Sequence, residues 1–149
     1  MKVLQMLTIG LLGLSLSALA EVKNLTFEQA YVRAPIPGTK NTAGYMKLIN
    51  HSDTEITLVK AESHFSDRVE FHDHIMENGV MRMTQVPVVK IEAKSSLEFS
   101  SGGLHLMLLD LAKNNKSDGP IAISFTTSKG QILTAHFEIQ SIHHEHHHH

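Results

Sequence analysis

FHDHIMENGVMRM, residues 71–83, places alternating side chains on either side of an Asn-Gly pair. Alternation with a period of two predicts β-strands, and Asn78-Gly79 is a strong signal for a two-residue type I′ turn. We therefore predict a β-hairpin with His74 directly opposite Met83 and His72 diagonal to it. Phe71 and Ile75 are expected to serve the core from one face. The other face collects imidazoles and thioethers: His72, His74, Met76, Met81 and Met83.

The chain from residue 25 onward repeats this pattern of short apolar runs separated by turn signals. Such spacing is typical of an antiparallel β-sandwich or barrel. No long amphipathic helix, internal repeat or domain boundary is visible, so we predict one all-β domain. The predicted strands are Leu25–Val32, Ala43–Ile49, Ile56–Ala61, Val69–Met76, Val80–Val86, Val89–Ala93, Leu97–Phe99, Leu104–Leu111, Ile121–Thr126 and Gln131–Ile139.

A second group of soft ligands lies in the stretch GGLHLMLL, residues 102–109. Alternation sends Leu104, Leu106 and Leu108 to one face, which we expect to be the core, and sends His105 and Met107 to the other. Two such side chains two residues apart form a compact chelating pair. Met46, His51, His64 and His136 are interpreted as ordinary core or surface residues.

Both ends of the sequence differ from this middle part. Residues 1–20 have a lysine start, an apolar run and an Ala-Leu-Ala ending, which predicts a cleavable secretory signal peptide rather than an uncleaved anchor helix. The domain is then expected over residues 21–140, as an exported monomer without a membrane anchor. Residues 141–149 hold a His-rich tail that is either a cloning tag or a native metal-binding segment.

Composition excludes several kinds of protein. The formal net charge is −2, so no basic face for nucleic acid is expected. The chain has no cysteine. Thiolate nucleophiles, iron–sulfur clusters, Cys-type zinc sites and the thiolate of blue copper centres are therefore ruled out.

The remaining ligand chemistry favours one ion. Thioether sulfur is soft and neutral and imidazole is borderline, a combination that suits Cu(I), whereas zinc prefers thiolate, imidazole and carboxylate. Without a thiolate the site is expected to hold copper less tightly than a sequestering cluster does. Such a site suits an ion that must be handed on.

The order His72, Met83, His105, Met107 gives the pattern H-x10-M-x21-H-x-M. It resembles the signature of the PCuAC-type periplasmic copper chaperones. The surrounding sequence is similar to that family as well, over about residues 25–139. The matching segments are AYVRAP at 30–35, TAGYM at 42–46, GVMRM at 79–83 and GGLHLM at 102–107.

This resemblance implies a cupredoxin-like β-sandwich or barrel with one surface Cu(I), bound by His72, Met83, His105 and Met107. It also implies periplasmic delivery of copper towards cytochrome c oxidase subunit II, with a Sco-type chaperone as a further partner and no catalysis. A second copper, as Cu(II), is expected if the His-rich tail is native. The family spacing selects His72, although the hairpin register predicts His74 opposite Met83. A bulge or a longer loop would change that register, and a diagonal pair can share a metal in any case. His74, Met76 and Met81 would then form an outer shell or a transfer path.

Other functions remain open from the sequence. A copper-scavenging or resistance protein would use the same ligands to buffer copper. A zinc-dependent hydrolase could use Glu70, His72, Asp73 and His74, although the sequence has no H-E-x-x-H motif. A blue-copper carrier lacks its thiolate, and a metal-free adhesion module would have no use for the methionine–histidine face.

Overall fold

The computed structural model describes residues 24–112 and 119–141, and these form ten β-strands and no helix. None of the described residues forms a helix that is long and apolar enough to cross a membrane. The predicted signal peptide and almost all of the His-rich tail lie outside the described residues. The strands are β1 Leu25–Arg33, β2 Thr42–Asn50, β3 Ile56–Glu62, β4 Ser66–Glu77, β5 Val80–Val86, β6 Val89–Ile91, β7 Ser96–Phe99, β8 His105–Leu111, β9 Ile121–Thr127 and β10 Ile132–Gln140.

Seven of these strands close into a barrel. Their order is β4-β8-β2-β1-β10-β9-β3, and β3 returns to β4 through the pair Ala61 and Val69. The other three strands extend this ring: β5 pairs with β4, β6 with β3, and β7 with β2. Neighbouring strands are antiparallel except β1 and β10, which run parallel. The all-β prediction is confirmed.

The core fills the inside of this ring with alternate side chains from each strand. Phe125 is fully buried at its centre, and its ring centroid lies 5.2 Å from that of Phe27, 6.5 Å from Phe71 and 6.3 Å from Phe137. Leu106 and Leu108 of β8 are fully buried, as alternation predicts, and Met46 is a core residue. The side chains between the inward ones face out of the barrel.

Strand β4 continues past the barrel as one arm of the predicted hairpin. Its pairing with β8 ends at His72 and His105, whereas its pairing with β5 is regular from Phe71 opposite Val86 to Glu77 opposite Val80. Asn78 and Gly79 both have positive φ, 52° and 78°, as a type I′ turn requires. The predicted register is confirmed, and the bulge invoked for the His72 spacing is absent.

The prediction that Ile75 serves the core is wrong. Its side chain is 43% exposed, although Phe71 on the same face is buried. The reason is the length of the hairpin: beyond His72 only β5 pairs with β4, so no barrel interior lies beneath Ile75. Both faces of the hairpin end are consequently exposed.

Candidate metal centre

The outer face of β5, β4 and β8 brings most of the predicted ligands together. His72 on β4 lies directly opposite His105 on β8, and their ring centroids are 6.0 Å apart. Met107 lies opposite Glu70, one diagonal step from His72. Met83 lies opposite His74, one diagonal step from His72 in the other direction. The His72–His105 pair is thus flanked by one methionine on each side.

Burial differs across these four residues. His105 is 4% exposed and His72 is largely buried, whereas Met107 is half-buried and Met83 is 50% exposed. The two imidazoles therefore sit at the base of the face. Met83 stands on the projecting hairpin, together with the exposed Met76 and Met81.

One nitrogen of each buried imidazole is held by an oxygen acceptor. His72 Nε2 lies 2.8 Å from Glu70 Oε2, and His105 Nδ1 lies 2.8 Å from the carbonyl oxygen of Gly103. Because carboxylate and carbonyl oxygens only accept, both ring nitrogens donate. In the neutral rings the lone pairs are consequently on His72 Nδ1 and His105 Nε2. Such bonds fix the tautomer of a metal-ligating histidine.

His72 Nδ1 is buried and has no hydrogen-bond partner within the part of the chain that the structure describes. Leaving a buried acceptor unpaired costs about 1–3 kcal/mol. An unpaired lone pair beside a second imidazole is the arrangement expected of a ligand atom. Glu70 is in turn held by Arg68, whose guanidinium also bonds Asp110 at 3.1 Å.

Burial of the His105 ring lowers the pKa of its imidazole below the ordinary 6.5, mainly because the charged form loses solvation. His74 and His72 add to this lowering, while the bond to Gly103 opposes it. The ring is therefore neutral at neutral pH, as a metal ligand must be.

Sequence reasoning missed the acceptors that orient these rings. The signal for Glu70 was its place two residues before His72, on the same face of β4. The Gly103 carbonyl had no signal, since a backbone oxygen is invisible to residue types.

The described residues, 24–112 and 119–141, hold no group of three or more histidine or acidic side chains already arranged around one metal ion. The Glu70, His72, Asp73 and His74 set considered for a zinc hydrolase is therefore not assembled as such a group. The arrangement that is present consists of two opposed imidazoles with a thioether on either side.

Comparisons with known proteins show the family and the fold of this chain. The family model described as "Putative lipoprotein LpqE-like" matches residues 25–139. None of the curated proteins matches the chain well enough to count as a relative.

Solved structures show the same fold. The copper-bound PCuAC domain from PmoF2 is 20% identical, with 79% of this chain and 93% of that chain covered and a TM-score of 0.66. The solution structure of CuI-DR1885 from Deinococcus radiodurans is 28% identical, with 76% of each chain covered and a TM-score of 0.62. Apo-DR1885 is 25% identical, with 95% and 92% covered and a TM-score of 0.60. The chain therefore belongs to the LpqE-like family, and its barrel has the fold of the PCuAC domains.

Proposed function

We propose that this protein is an exported copper chaperone that binds one Cu(I) through His72, Met83, His105 and Met107. The observation that carries the proposal is the unpaired, buried Nδ1 of His72 opposite a second imidazole with a fixed tautomer. The similar structures of the PmoF2 domain and CuI-DR1885 hold copper, which supports copper as the ion.

The spacing of the two rings suits a shared copper. With a metal–nitrogen bond of about 2.0 Å, two imidazoles on one ion have centroids about 5 Å apart at a tetrahedral angle and about 6 Å apart when nearly linear. The observed 6.0 Å between His72 and His105 fits a wide angle. Thioethers from the sides would complete a distorted tetrahedron.

Both methionines are within reach of such an ion. Each is a diagonal neighbour of His72 on an adjacent strand, at a backbone separation of about 7–8 Å. An extended thioether with a metal–sulfur bond of about 2.3 Å spans that distance. The four ligands are neutral and half of them are soft, which favours Cu(I) over Cu(II) and zinc.

Exposure favours delivery over storage. Met83 is half exposed and stands beside Met76 and Met81 on the hairpin, so a recipient can approach one ligand while the imidazoles still hold the ion. The family resemblance suggests cytochrome c oxidase subunit II as the recipient, with a Sco-type partner, in the periplasm. The predicted signal peptide supports export. A scavenging protein would bind the same ion without losing it to a recipient, so an assay of copper transfer separates the two functions.

X-ray absorption at the copper edge tests the ligand set. The Cu(I)-loaded protein is expected to show two nitrogen and two sulfur neighbours, and Met83→Ala is expected to reduce the sulfur count to one. Met76→Ala is the matched control, because Met76 is also an exposed methionine of the same hairpin but is not a proposed ligand. A native spectrum without sulfur would overturn the proposal.

Glu70 is expected to act on copper through His72. Glu70→Gln removes the charge that favours the Nε2–H tautomer, so we expect Cu(I) affinity to fall about tenfold to a hundredfold. The checks are chelator competition and nitrogen NMR of His72, which should show more of the Nδ1–H tautomer. Glu138→Gln on β10 is the control. An unchanged tautomer with unchanged affinity would show that Glu70 does not position the ring.

A further inference from the structure

His74 is an imidazole on the copper-binding face that the four-ligand pattern leaves unused. It lies directly opposite Met83, and its ring centroid is 5.2 Å from that of His105, closer than His72 at 6.0 Å. That separation matches the value of about 5 Å expected for two imidazoles on one ion at a tetrahedral angle. His105 thus has two imidazole neighbours on β4: His72 lies directly opposite it, and His74 lies on the diagonal.

His74 is held less firmly than the other two rings. Its Nδ1 lies 3.4 Å from the Gly103 carbonyl oxygen, which His105 Nδ1 approaches to 2.8 Å. A separation of 3.4 Å is long for an N–H···O hydrogen bond, so little is lost when the ring turns away.

We propose that His72, His74 and His105 form a second ligand set that holds Cu(II) at the same site. The inference rests on the proposed copper-binding function. Imidazole nitrogens suit Cu(II), whereas thioethers select Cu(I), and a given nitrogen site binds Cu(II) more tightly than zinc. His72 and His105 are common to both sets, and His74 takes the place of the two methionines when the bound ion is Cu(II).

The second set needs one local movement. No three described histidine or acidic side chains already surround one ion, so His74 must rotate about its side-chain bonds towards the His72–His105 pair. Its position allows this rotation, because His72 and His74 are two residues apart on one face of β4 and His105 faces the first of them.

The test uses the full chain with the six tail histidines (143, 144 and 146–149) replaced by serine, so that Cu(II) cannot bind there. Pulsed electron paramagnetic resonance of the Cu(II) complex is expected to show three imidazoles, and His74→Ala is expected to show two. Cu(II) affinity, measured by chelator competition, should fall at least about tenfold. Cu(I) affinity should stay within about threefold.

His136→Ala is the control, since His136 is an exposed strand residue on β10. Unchanged Cu(II) affinity and nitrogen count in His74→Ala, with Cu(I) bound normally by the parent chain, would overturn this inference alone. Failure of the parent chain to bind Cu(I) would instead overturn the proposed function. A loss of both ions in His74→Ala would also contradict the inference, because it would make His74 a ligand of the Cu(I) set.

Discussion

Replacing His105 with alanine is expected to lower the Cu(I) affinity at least about a hundredfold, or about 2.7 kcal/mol. The ring is the most buried of the proposed ligands, and its Nδ1–H bond to Gly103 holds the ligand nitrogen in place. No other described imidazole lies directly across from His72. Competition with a chromophoric Cu(I) chelator measures the loss.

The control for this variant is His136→Ala, which removes an exposed imidazole from β10 and should leave the affinity unchanged. Circular dichroism must show that the His105→Ala barrel is folded, because a buried ring has been removed. Folded His105→Ala protein with an affinity within about threefold of the native value would contradict the assignment.

The pH dependence of stability gives a second readout of the same residue. Because burial lowers the pKa of His105, the unfolded chain binds the proton more readily than the folded one. The contribution of this ring to stability is therefore fully present above about pH 6.5. It declines as pH falls towards the lowered pKa of the folded state. His105→Ala should remove that part of the pH dependence.

Local sequence signals predicted the hairpin because its determinants are local. Asn78-Gly79 sets the turn, and a two-residue turn fixes every pair along β4 and β5, including His74 opposite Met83. The same alternation correctly placed Leu106 and Leu108 in the core and His105 on the other face. Alternation thus places each of the four predicted site residues on an outward face, and the pairing of β4 with β8 brings them together; their role as ligands stays a prediction.

Long-range pairing could not be read from the sequence. Alternation shows which face a residue takes, but the end of the β4–β8 pairing depends on a distant strand, which is why Ile75 was wrongly assigned to the core. The closure of β3 on β4 and the parallel pairing of β1 with β10 could not be predicted for the same reason, because each depends on contacts between separate strands. The absence of a bulge means that the His72 and Met83 spacing describes a diagonal pair in a regular ladder.

Replacing Phe125 with alanine is expected to lower the free energy of unfolding by about 3–5 kcal/mol. Its ring is fully buried and touches the rings of Phe27, Phe71 and Phe137, so truncation leaves a cavity that several strands border. Urea unfolding at fixed pH measures the change. Phe125→Leu, which keeps most of the volume, should cost much less.

The same variant separates the core from the copper site. Phe125 points into the barrel, whereas the proposed ligands lie on its outer face, so the folded fraction of Phe125→Ala should bind Cu(I) with native affinity. One direct connection is Phe71, which stacks on Phe125 and precedes His72 in β4. Strand pairing holds His72 opposite His105 independently of that ring contact. A fall in affinity in fully folded Phe125→Ala would show instead that core packing, through Phe71, sets the position of the imidazole.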